Sequence, residues 1–139
     1  MFKAELSIDI ESSIRMAYKI DETIMIYSRD LEDIISDLKN TESLKFYKIL
    51  NEENVMVGYF GKEDYQVSCL TTFFIFPQYR KDKKDIWSFI ASQMPNEFYS
   101  GLYDINTRAI RFFKESGGIS INSIIVEDKP ATIFKFKGE

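Results

Sequence analysis

Apolar residues recur along the chain in two different periods, and the changes of period mark its elements. In residues 9–20, Ile10, Ile14, Ala17 and Tyr18 stand three and four apart behind Asp9 or Ser12 as a cap, which predicts a short helix. Residues 28–40 repeat the pattern, with Leu31, Ile34, Ile35 and Leu38 on one face, Ser28 as the cap and Asn40 at the stop. Residues 2–8, "FKAELSI", alternate weakly and predict a first strand.

From residue 44 onward the period shortens. "LKFYKIL", "NVMVGYF" and "YQVSCLTTFFIF" are rich in aromatic and β-branched residues, and "NEEN" and "GKED" between them are turn material, so a three-stranded antiparallel meander is expected. "DIWSFIASQM" then sets Ile86, Phe89 and Ile90 on one helical face, and "FYSGLYDI" resumes an extended pattern. In "NTRAIRFFKESGG", Asn106 or Thr107 caps a helix lined by Ala109, Phe112 and Phe113, and Gly117 or Gly118 offers the left-handed exit. Residues 119–137 close the chain as a hairpin around "EDKP". The order is strand, two helices, three strands, helix, strand, helix, two strands. It predicts an α+β domain of three layers, with a mixed, mostly antiparallel sheet of about six to seven strands between about four helices.

Composition narrows the chemistry. A chain of 139 residues with 45% hydrophobic content is expected to form one domain spanning residues 1–139. The formal net charge of −4 and pI near 5.0 argue against a general polyanion binder. Cys69, the one cysteine, lies in an apolar run and reads as a small buried hydrophobe. With no histidine, histidine triads and histidine metal sites are excluded, and one cysteine cannot build a thiolate zinc site, so no metal is expected. The acidic residues of "MFKAELSIDIESS" do not suit a secretory leader, and no apolar run approaches a membrane span, so a soluble cytoplasmic protein without membrane partners is expected.

One stretch carries the functional question. In "TFFIFPQYRKDKKDIWSFI" a run of β-formers stops at Pro77, a charged turn follows, and an amphipathic helix begins near Asp85. This stretch resembles the signature strand, loop and helix of the GNAT superfamily of acyl-CoA N-acyltransferases, where a strand ending in Pro-x-Tyr-Arg enters a pyrophosphate loop. "DINTRAIRFFKESGGI" is similar to the family's later helix, and "VMVGYF" to its glycine-bearing strand. The order of elements agrees, and the resemblance covers most of the chain, least of all before residue 44.

The resemblance implies a GNAT-like fold and an acyl-CoA-dependent N-acyltransferase, using acetyl-CoA or another acyl-CoA and passing the acyl group to a small-molecule or protein amine by direct attack. It implies that the strand splays from its neighbour, so that the backbone of Phe73, Phe74 and Ile75 pairs with the pantetheine arm. Arg80, Lys81, Asp82, Lys83, Lys84 and Asp85 then stand at the pyrophosphate loop as cofactor-binding residues, and Asn106, heading the later helix, is implied to bind the cofactor as well. A helix start presents unpaired amides to such a phosphate. The family's loop glycines are all replaced by these charged residues, and Phe113 stands where the family commonly has a tyrosine that protonates the leaving thiolate. Tyr79, Tyr99 and Tyr103 are nearby tyrosines, none at the matching position; Tyr103 is taken as the candidate acid, with water as the other route, and Glu63, beside Asp64, as the candidate relay for the amine's proton.

Two other readings remain open. A GNAT-like fold that has lost acyl transfer would act as a binding or structural protein, and compact virion-associated proteins of short-tailed bacteriophages share a similar Asn-headed helix, Gly and terminal strand pair. Such a protein would reside in the host cytoplasm or the virion. A third reading is a stacking surface for nucleic acid, since aromatic residues make up 15% of the chain and Phe73, Phe74, Tyr79 and Trp87 lie beside lysines. The acidic total counts against it.

Overall fold

Asp9 starts helix α1 (Ile10–Ile20): its carboxylate accepts from the Ser12 amide at 3.3 Å, and Ile14, Ala17 and Tyr18 are buried on one face. Helix α2 (Leu31–Asn40) starts at Asp30, whose carboxylate accepts from the Glu32 amide at 3.2 Å. The expected cap Ser28 lies outside the residues described by this computed structural model, which are 1–21 and 30–137.

The strands are β1 (Lys3–Leu6), β2 (Leu44–Leu50), β3 (Met56–Tyr65), β4 (Val67–Ile75), β5 (Glu97–Tyr103), β6 (Ile119–Val126) and β7 (Lys129–Lys137). They form one seven-stranded sheet in the order β1-β2-β3-β4-β5-β7-β6. Every neighbouring pair is antiparallel except β4 and β5. The meander of β2, β3 and β4 is as expected, with one correction: "GKED" is strand, and the turn falls at Gln66, whose φ is 61°. Pairing continues past Gly61 because a bulge at Gly61/Lys62 absorbs the misfit in register. The last hairpin turns through Glu127 and Asp128 at φ 51° and 64°, the mirror-image geometry that suits strand twist.

A turn of 3-10 helix (Pro77–Asp82) leads from β4 into α3 (Lys83–Ser92), so α3 begins two residues before Asp85. Helix α4 (Thr107–Glu115) starts at Asn106, whose side-chain oxygen accepts from the Ala109 amide at 3.2 Å. It ends at Gly117, φ 92°, with the Gly118 amide donating back to the Phe113 carbonyl at 2.8 Å. Those two features are the left-handed exit that glycine makes inexpensive.

The sheet separates two apolar layers. On one face α1 and α2 cover Phe46, Tyr59, Phe74 and Phe76; on the other, α3 and α4 cover Val57, Phe60, Phe98, Phe134 and Phe136. Strand alternation divides neighbours between the layers, so Phe73 faces α3 and α4 while Phe74 faces α1. The three layers and the mixed sheet agree with expectation. Among the described residues no helix is long and apolar enough to cross a membrane.

Candidate functional site

The one parallel contact in the sheet is also its weakest. β4 and β5 share a single bridged pair, Cys69 with Tyr99, and the buried Ser100 hydroxyl donates to the Leu70 carbonyl at 2.8 Å beside it. Beyond that point no further pairs form, although β5 stays fully paired to β7 through Tyr103. The strands therefore part toward Ile75 and Tyr103, as the resemblance implies, and the parting exposes alternate backbone groups of β4 to the gap.

At Gly58 an added Cβ would strike the Phe74 carbonyl oxygen, so that carbonyl points to β3. Carbonyls alternate along a strand, which turns those of Phe73 and Ile75 toward the gap. The Ile75 carbonyl is already engaged, because Arg80 Nε donates to it at 3.1 Å. The same guanidinium reaches Asp21 Oδ2 at 2.8 Å and lies 5.3 Å from the centre of the Phe74 ring. Arg80 thus ties the end of α1 to the end of β4.

The turn after β4 is built differently from a phosphate cradle. Its amides are drawn into 3-10 bonding: Tyr79 N–H donates to the Phe76 carbonyl at 2.9 Å, and the Lys83 amide to the Arg80 carbonyl. A nest of amides around an anion requires left-handed residues, and no residue of 77–85 has a positive φ. Lys81, Lys84 and Asp85 are exposed. Lys83 lies with its ammonium 5.5 Å from the centre of the Phe112 ring, and Asp82 precedes α3 without making a side-chain cap.

Rings occupy the space between β4, α3 and α4. Phe73 lies 5.4 Å from Trp87, 6.5 Å from Phe112 and 5.7 Å from Phe113 between ring centres. Trp87 and Phe112 meet edge to face at 5.6 Å across the two helices. Phe113 is fully buried, also against Phe134 and Phe136.

The two candidate catalytic groups are not brought together. Tyr103 ends β5 at the open mouth of the gap, buried to 9% exposure, with the Lys129 ammonium 5.4 Å from its ring centre. Glu63 lies opposite Cys69, at the closed end, and accepts from the Ser43 hydroxyl at 3.1 Å. Four residues separate the two levels, ~13 Å at the rise of a strand. The Cys69 thiol is pushed up by burial first, then by the Glu63 and Asp64 carboxylates, which keeps it a thiol rather than a nucleophile. Asn106 spends its side chain on the cap of α4. Among the described residues no cluster of acidic, cysteine or histidine side chains would hold a metal.

A depression of about 330 Å³ lies between the first residues, the turn after β2 and the Pro77–Asp82 turn, with Phe2, Tyr79 and Lys81 in its wall. A second, of about 470 Å³, lies at the start of α1. Neither is lined by β5 or α4. Asp21 and Ser100 are residues of this region that the sequence did not single out. Only the buried setting of Ser100 in an aromatic strand offered any signal.

No family model and no curated protein sequence matches the chain. Solved structures do. Spermidine N-acetyltransferase from Vibrio cholerae, in complex with CoA and spermine, superposes with a TM-score of 0.67 at 9% identity, over 99% of this chain and 95% of that one. A GNAT-family acetyltransferase from Bacillus cereus gives a TM-score of 0.65 at 16% identity, over 100% and 99% of the two chains. Nourseothricin acetyltransferase gives 0.57 at 8% identity, over 70% and 67%. At these identities the likeness is one of fold, and the fold is GNAT-like. Nothing in these three likenesses speaks for a virion-associated kinship.

Proposed function

We propose that the gap between β4 and β5 receives the pantetheine arm of acetyl-CoA or another acyl-CoA, and that the chain transfers the acyl group to an amine by direct attack. The single observation that carries this reading is the splay: strands held by the Cys69–Tyr99 pair and then parted, in a fold otherwise paired along its strands. When bound, the cofactor supplies an activated thioester. The Phe73 carbonyl turned into the gap would orient the arm, while the phosphates would be held by the side chains of Lys81, Lys83 and Lys84 rather than by amides. In this reading Tyr103, at the open mouth, would give a proton to the departing thiolate. Glu63 stands too far from it to share one reaction centre, so the amine's proton leaves through water. A cationic acceptor suits a chain of net charge −4, and polyamines, the substrates named for the Vibrio cholerae enzyme, are the first acceptors to try.

A second reading is favoured by a different observation. Arg80 is spent on Asp21 and Ile75, and the 3-10 turn forms no nest, so the phosphate end of the site is poorly made for a nucleotide. In that reading the fold serves as a binding protein without acyl transfer; the virion-associated form of it rests on the terminal helix and strand pair alone.

Calorimetric titration with acetyl-CoA at low and high salt separates the two, with thiol release in the presence of spermidine as the activity readout. Weak binding that salt abolishes, with slow turnover, is the expected result. Absence of binding at millimolar acetyl-CoA removes acyl transfer and leaves the second reading. Submicromolar, salt-insensitive binding would show that amides hold the phosphates after all.

A further inference from the structure

The two edges of the sheet are built differently. β1 is four residues long and carries Lys3 and Glu5, the short charged edge that discourages strand addition. β6 is eight residues, "ISINSIIV", without a charge or a proline. Its inner side pairs with β7, and among the described residues no strand covers its outer side. Ile119, Ile121 and Ile125 are 62%, 49% and 70% exposed along it. A bulge between Ser120 and Asn122 leaves the stretch from Asn122 to Val126 in regular register.

We propose that β6 is a self-association edge, through which two copies of the chain pair antiparallel about a two-fold axis and join their sheets. The charges at the ends of the strand select this occupant. Where β6 begins, Lys114 lies beside the exposed Glu115 at the end of α4, Lys135 pairs across from Ile119, and Lys137 follows it on β7, which leaves this end a basic surplus. Where β6 ends, the chain turns through Glu127 and Asp128; Lys129, at that same end, is turned over the Tyr103 ring. Antiparallel self-pairing lays each acidic turn against the basic end of the other copy, twice. Parallel pairing would set acidic turn beside acidic turn. The antiparallel arrangement is also the one that a two-fold axis closes, so it stops at a dimer rather than growing into a filament. Lys135 already bridges Glu97 at 2.9 Å, which leaves Lys114 and Lys137 as the principal partners of the acidic turn.

Sedimentation equilibrium of the full chain across a concentration series tests this directly. The wild-type chain is expected to dimerise, and Ile121→Lys with Ile125→Lys to raise the dissociation constant at least about tenfold while circular dichroism stays unchanged. Lys114→Glu with Lys137→Glu should weaken the dimer too, with an effect that fades at high salt. Hydrogen exchange on the wild-type chain supplies a readout that needs no variant: amides of β6 should gain protection as concentration rises. A chain that stays monomeric at its highest soluble concentration overturns the proposal. So does a dimer in which β6 exchange is independent of concentration.

Discussion

Single atoms decide several properties of this chain. At Gly58 an added methyl would sit well inside van der Waals contact with the Phe74 carbonyl oxygen, part of the backbone and unable to swing away. Gly58→Ala is therefore expected to cost about 1–3 kcal/mol, read as a lowered melting temperature. Phe113 is fully buried among rings, so the Phe113→Tyr hydroxyl would find only apolar neighbours. That change should destabilise the fold by about 1–3 kcal/mol rather than supply an acid, as denaturant titration would show. Tyr59 offers a pH test. Burial, then the nearby Tyr18, pushes its phenol far above the ordinary value, so the folded state favours the protonated form. Its contribution is complete below the unfolded phenol's pKa of about 10 and is lost as pH rises beyond it. Tyr59→Phe should flatten the alkaline fall in stability that sets in above about pH 10, as denaturant titrations from about pH 9 to about pH 12 would show.

At the scale of elements, the turn between β4 and α3 separates charge engaged within the protein from charge that faces solvent. Arg80 links three partners across 59 residues of sequence, while Lys81 and Lys84 face solvent. Arg80→Met should cost about 1–2 kcal/mol, since a half-buried ion pair, a hydrogen bond and a ring contact are lost together. Replacing Lys81, Lys83 and Lys84 with Ala should change stability by less than about 0.5 kcal/mol. If the lysines hold the cofactor phosphates, the triple change abolishes acetyl-CoA binding that Arg80→Met leaves detectable. Calorimetry on both variants makes the comparison.

At the scale of the molecule, the sheet is two antiparallel blocks, β1 to β4 and β5 to β6, joined by one bridged pair and one serine hydroxyl. A ligand lying in the gap would touch both blocks and so bind only the folded chain. Acetyl-CoA above its dissociation constant is then expected to raise the melting temperature, and high salt to remove the rise. A melting temperature indifferent to acetyl-CoA at low salt would count against any occupant of this class.

Much of the architecture was legible from local pattern, because the forces that set it are local. The period of Ile10, Ile14, Ala17 and Tyr18, the cap of Asn106 and the glycine at 117 each act within a few residues, and each appears where its spacing places it. Local chemistry also misled at "GKED", whose turn residues are carried through by pairing to a partner strand and a bulge. The candidate site was legible as a position but not as a mechanism. Glycine's absence from residues 77–85 could be read from the sequence. That the turn would coil as 3-10 helix, that Arg80 would be drawn to Asp21, and that Phe73, Trp87, Phe112 and Phe113 would meet between two helices depended on long-range packing. The distance between Glu63 and Tyr103 was likewise decided by strand register. The sequence by itself determined most of the helical and extended segments and which charges the chain carries; the tertiary structure alone decided where pairing overrode local turn chemistry and which of those charges remain available, because partners far apart in sequence compete for them only once the layers have packed.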